Sequence, residues 1–180
     1  IVALGLVACS SKIKPITNIS YEGYSDYTYD YSDKDFEISF EFKYPSNWLV
    51  EEMSTWTVEA DEGREFPPEY GVYLYKGDER NYLEYKENHE DYSFTLDRAY
   101  YNMYNFIEDE SIESQDFIID KKNLGTIYTV NEDDRIIIYI LYNTEGKMDY
   151  MNGYFSSKKD FYEENKNEIW GILGSVKVNK

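Results

Sequence analysis

The run Ile136-Ile137-Ile138-Tyr139-Ile140-Leu141 constrains the fold most, because it is apolar at both parities. A strand with that pattern has no face to give to water, so it must lie inside a sheet that is covered on both sides. A second stretch has one wet face: Phe36, Ile38, Phe40, Phe42 and Tyr44 alternate with Glu37, Ser39, Glu41 and Lys43. Such period-2 alternation describes a half-buried strand. The chain holds one cysteine, Cys9, so no intrachain disulfide can brace these strands. The fold must rest on its core, for which 21 tyrosines and 9 phenylalanines supply much of the material. At 180 residues there is room for one domain of ordinary size.

Along the chain, Pro45-Ser46-Asn47 breaks the alternating strand and Trp48-Leu49-Val50 opens another, so the pair reads as a hairpin with Trp48 buried. Residues 55–60 and 71–75 are further strand candidates, with a loop at Glu65-Phe66-Pro67-Pro68 between them. Leu96, Ala99, Tyr100, Met103 and Ile107 then fall at helical spacing behind Thr95, a plausible N-cap. Residues 116–120 read as strand or loop and 124–130 as strand. The turn Asn131-Glu132-Asp133-Asp134 leads into a strand at 135–142, and Asn143-Thr144-Glu145-Gly146-Lys147 turns back into another at 148–155. Ser157 with Asp160 has capping-box spacing ahead of a second helix, whose inner stripe is Phe161, Ile169, Ile172 and Leu173. Gly174 can end that helix before a last short strand at 175–178. Two apolar stripes and a doubly covered strand predict an α+β fold, an antiparallel sheet with two helices packed on it.

Charge and chemistry exclude more than they assign. Lys and Arg total 18 against 36 Asp and Glu, a net −18. That balance opposes nucleic acid and anionic lipid, which need basic residues to neutralise phosphate. The single histidine, His89, sits in the charged run Lys86-Glu87-Asn88-His89-Glu90-Asp91, where a solvated loop residue is expected. A nucleophile triad or a zinc site would lack its usual partners, and no phosphate-binding glycine loop is present. Asp30, Asp33, Asp35 and Glu37 have some calcium-loop spacing but no glycine at the sixth position. We therefore expect no catalytic residue, no metal and no cofactor. Tyr70, Tyr73, Tyr75, Tyr82 and Tyr85, with Tyr92 and Trp56 nearby, are the candidate binding surface, weighed against simple cladding of the sheet.

The N-terminus points to a location. Eight apolar or small residues precede Cys9, too few to span about 30 Å of hydrocarbon. Leu6-Val7-Ala8-Cys9 resembles the lipobox of bacterial lipoproteins, followed here by Ser10-Ser11. With neither Met nor a basic segment ahead of it, the apolar stretch reads as the remnant of a signal peptide at residues 1–8. The resemblance implies that the Cys9 sulfur carries a diacylglycerol and that its freed amine often carries a third chain. Two or more chains anchor stably where one binds only marginally. The expected place is the outer face of the cell membrane. Residues 9–34, with few aliphatics and the tract Tyr21 to Asp33, read as a solvated tether, or else as a short edge strand through Tyr27, Tyr29 and Tyr31. The domain is then 35–180.

Two further stretches resemble a known family. Ile38-Ser39-Phe40-Glu41-Phe42-Lys43-Tyr44-Pro45-Ser46-Asn47-Trp48-Leu49-Val50 is similar to the entry of PsbP-like domains, relatives of an extrinsic photosystem II subunit. Ile169 to Val178 resembles the close of such domains, with Val176 where an aromatic is commoner. The resemblance implies an α/β/α sandwich and no shared catalytic motif. Together these readings describe a lipid-anchored, non-enzymatic binding or accessory domain, held to the membrane through Cys9 and meeting a protein or glycan of the cell envelope. The alternative is a carboxylate-dependent cell-wall hydrolase, which needs two facing acids in a cleft.

Overall fold

The computed structural model describes residues 13–32, 37–53, 58–59, 65–66, 70–77, 92–98, 112, 114–132, 134–144 and 151–179. Strands β1 (Tyr24–Ser32) and β2 (Glu37–Pro45) pair antiparallel along nine positions, from Tyr24 opposite Pro45 to Ser32 opposite Glu37. With the short β12 (Lys177–Val178) on the other side of β2, they form a three-stranded sheet.

The larger sheet has seven strands. From one edge to the other it runs β3 (Trp48–Glu52), β6 (Gly71–Lys76), β7 (Tyr92–Arg98), β11 (Met151–Lys158), β10 (Arg135–Tyr142), β9 (Lys122–Asn131) and β8 (Ser114–Ile119). All its described pairings are antiparallel. Two-residue strands β4 (Val58–Glu59) and β5 (Glu65–Phe66) pair with each other alone. A helix, α1 (Lys159–Ser175), follows β11.

Registry sorts the side chains of the large sheet onto two faces, since neighbours in sequence point opposite ways. The inner face carries Trp48, Leu74, Phe94, Leu96, Phe155, Ile138, Ile140, Ile127 and Phe117, all fully buried. Against it lie Ile169, Trp170, Ile172 and Leu173 of α1 and Tyr29, Ile38, Phe40 and Phe42 of the small sheet, in one apolar cluster. Each fully buried side chain of this kind is worth about 1.5–3 kcal/mol. The helix touches β2 as well as β10 and β11, so both sheets bound it. The Ser175 hydroxyl accepts the Lys43 N–H at 2.8 Å, and Tyr142 donates to the Leu173 carbonyl at 2.8 Å. These bonds fix the C-terminal turn of α1 to each sheet.

The α+β class and the antiparallel sheet agree with the sequence pattern, and Trp48 is 1% exposed. β10 is an interior strand with neighbours on both sides. Its even positions enter the main core. Its odd face is covered by tyrosines: Tyr139 is buried among Tyr128, Leu141 and Tyr154.

Five expectations need correction. The expected tether includes β1, whose Tyr29 is buried against Phe40 with rings 5.2 Å apart, so the edge-strand alternative is the one observed. β2 and β3 are no hairpin, because the turn at Pro45-Ser46-Asn47 carries the chain from the small sheet into the large one. The expected first helix begins inside β7, where Thr95 and Leu96 pair with Tyr154 and Gly153, and its remaining positions fall outside the described residues. One helix, not two, is therefore found among the described residues. Ser157 lies in β11, and α1 starts behind Lys158 without a side-chain cap, the Ser157 hydroxyl donating to the Lys158 carbonyl instead. Within the expected loop at 65–68, Glu65 and Phe66 pair as β5.

Candidate functional site

β6 divides the candidate tyrosines between two places. Tyr73 and Tyr75 point to the outer face of the large sheet, opposite Glu51 and Leu49 of β3. Their rings lie 6.2 Å apart, Tyr75 is buried, and its hydroxyl donates to Glu51 Oε2 at 3.4 Å. Tyr70, just before the strand, instead meets Tyr31 of β1 with ring centroids 4.6 Å apart, at the junction of the two sheets. Tyr82, Tyr85, Trp56 and His89 lie outside the described residues. The five tyrosines thus do not form one described surface. Tyr73 and Tyr75 share their face with Tyr128, Tyr139 and Tyr154 farther along the sheet. Polar pairs share this face: Asn152 Nδ2 donates to Asp97 Oδ1 at 2.6 Å between the two groups, and Arg135 to the Ser156 hydroxyl at 2.9 Å on the strands that carry Tyr139 and Tyr154. Burial pushes the Tyr139 hydroxyl far above its ordinary pKa. On this face Tyr75, Thr95, Tyr139, Asn152 and Ser156 are buried and Tyr73, Tyr128 and Tyr154 are half-buried, so it offers only part of its aromatic surface to a partner.

A denser polar group among the described residues lies elsewhere, where the β3–β6 edge meets α1. Glu168 Oε2 accepts from Trp48 Nε1 at 2.8 Å and from Lys76 Nζ at 2.6 Å, while Asn47 Nδ2 donates to Oε1 at 3.3 Å. Lys76 Nζ also donates to Asn165 Oδ1, and its ammonium stands 6.0 Å from the centroid of the Trp48 ring. Asn165 in turn donates to the Phe161 carbonyl at 2.7 Å. Partial burial raises the Glu168 carboxyl, but hydrogen bonds from Lys76, Trp48 and Asn47 outweigh it, leaving the pKa below its usual value. A carboxylate held ionised by three donors is the opposite of a general acid. This group clamps the helix to the sheet edge. Sequence reading missed it because its members are 120 and 92 positions apart, and no local spacing marks such a set.

Of the calcium-like acids, Asp30 receives the Ser39 hydroxyl across the β1–β2 pair, while Asp33 and Asp35 lie outside the described residues. Among the described residues no cluster of three His, Cys, Asp or Glu could hold a metal ion. No helix there is long and apolar enough to cross a membrane.

The described elements define an antiparallel α+β protein whose helix is bounded by two sheets. No family model matches the chain, and neither curated proteins nor solved structures provide a match.

Proposed function

We propose that this protein is a lipid-anchored binding domain of the outer membrane face, its fold a PsbP-like one. The observation that carries the anchor is Leu6-Val7-Ala8-Cys9, a lipobox-like sequence ending in the only cysteine of the chain. The PsbP-like part is supported by residues 38–50 and 169–178, which include the β2–β3 crossover and the exit from α1 into β12. Recognition is supported by the half-buried Tyr73, Tyr128 and Tyr154 of the outer sheet face, and the partner is an envelope protein or glycan. A net −18 favours a cationic partner, because opposite charge speeds encounter and like charge suppresses it.

The experiment is detergent-phase partitioning of the protein expressed with a complete lipoprotein signal peptide. The native protein is expected in the detergent phase, and Cys9→Ala in the aqueous phase or retained with its signal peptide uncleaved. Equal partitioning of the two removes the anchor. Capture of a cationic envelope component at low salt should weaken as the Debye length falls toward about 8 Å near physiological ionic strength. Turnover of a wall substrate, lost on changing one carboxylate, would replace this reading with a hydrolase.

A further inference from the structure

Lipid on Cys9 would leave almost no tether. Ile13 is 7% exposed and belongs to the main core, and Ile16 and Ile19 pack against the same cluster. Residues 21–32 continue without a free segment, since Tyr21 and Tyr24 meet edge to face at 5.4 Å and β1 is paired along its length. From Cys9 to Ile13 the chain advances four residues, about 14 Å at full extension. A 26-residue tether over 9–34 would instead reach on the order of 90 Å.

Charge follows the same polarity. Lys12 and Lys14 are the only charged residues before Glu22, so all 36 acids lie beyond this stretch. Residues 22–180 carry −20, while the stretch next to Cys9 carries +2. Basic residues beside a lipid surface are drawn to anionic headgroups, and the attraction fades within a Debye length. The acidic body is repelled by the same surface and the lysine-bearing end is drawn to it.

We infer that the folded body rests on the lipid headgroups, with the surface around Lys14 as its membrane-facing pole, and does not sample the envelope on a leash. This rests on the lipid-anchor reading and adds to it a geometry that a long-tethered lipoprotein would lack. A partner must therefore approach from the side or from above.

The test uses the full lipidated protein carrying Lys14→Cys, a solvent-exposed position. With the Cys9 sulfur lipidated, the introduced thiol alone accepts a spin label. The protein is reconstituted in phosphatidylcholine vesicles containing a nickel-chelating lipid. The label is expected to show strong relaxation by headgroup nickel. A flexible Gly/Ser insertion of about twelve residues between Ser11 and Lys12 adds roughly 20 Å of reach and should abolish most of that relaxation. Both forms should remain in the detergent phase. Weak relaxation in a protein that partitions with detergent overturns the apposition and leaves the anchor standing. Equal relaxation with and without the insertion overturns the short tether as its cause. Failure of the native protein to partition at all removes the anchor itself, and the apposition with it.

Discussion

Glu168 shows how one side chain can join elements distant in sequence. Its carboxylate gathers the Trp48 indole, the Lys76 ammonium and the Asn47 amide, tying β3, β6 and the turn before β3 to α1. Hydrogen bonds to charged groups contribute about 1.5–3 kcal/mol, and the 28% exposure of Lys76 and Glu168 places this set near the lower end. Because the folded-state pKa is depressed, the stabilisation is present above the ordinary glutamate pKa of about 4.3 and is lost as pH falls through the folded value. Glu168→Gln should cost about 1–2 kcal/mol near pH 7, with the deficit shrinking as pH falls below the ordinary glutamate value and toward the lower folded one. Urea unfolding at pH 7 and at pH 3.5 measures both ends. A deficit that is the same at the two values would mean that the charge of Glu168 contributes nothing.

Among the elements, Gly125 marks a close approach of two strands. It sits in β9 opposite Tyr142 with φ at +156°, and a Cβ there would lie 1.8 Å from the Leu141 carbonyl oxygen. That oxygen belongs to the backbone of an interior strand and has nowhere to go. Gly125→Ala should therefore cost about 3 kcal/mol or more through strain and lost pairing, whereas Gly23→Ala, with open space around it, should cost only the penalty of its positive φ, about 1 kcal/mol. Comparable midpoints for the two variants in denaturant titration would contradict the crowding at Gly125.

The same strands show what local sequence can reveal. β2 and β9 were legible because apolar and polar residues largely alternate in them, and β6 and β10 because each carries an uninterrupted apolar run. β1 was obscured because Ser25, Asp26, Thr28, Asp30 and Ser32 make it look solvated, and its one buried residue is a tyrosine. In β7, Tyr92, Phe94 and Leu96 alternate, and sheet pairing holds Leu96, Asp97 and Arg98, so the strand runs past the point where the helical spacing begins, while the spacing's later positions lie outside the described residues. A turn such as Pro45-Ser46-Asn47 reports that a strand ends, not which sheet the next strand enters. The tyrosines were legible as a population, but their division between the outer face and the sheet junction follows from register, which only the assembled sheets supply.

The whole molecule is held by tyrosines whose hydroxyls are partly withdrawn from water, and this makes it vulnerable to alkali. Burial, with Glu168 and Tyr21 nearby, pushes Tyr24 up to about 12. Burial and the hydrogen bond from its hydroxyl to Glu52 push Tyr27 to about 12 as well. Burial also raises Tyr142, which is fully enclosed, and Tyr139 well above the ordinary value. An unfolded chain releases these protons near pH 10, while the folded one retains them. The folded state thus binds more protons between pH 10 and 12, so its stability is intact below 10 and falls as pH rises across that window. Lysines lose their charge over the same range, and a molecule already at −18 repels itself further. Stepwise alkaline titration, reading tyrosinate absorbance together with far-ultraviolet circular dichroism, should show a delayed fraction of the 21 tyrosines ionising in one step with loss of strand signal. A single smooth titration centred near 10, with the strand signal unchanged to pH 12, would mean that these hydroxyls are open to water and that the sheets do not enclose them.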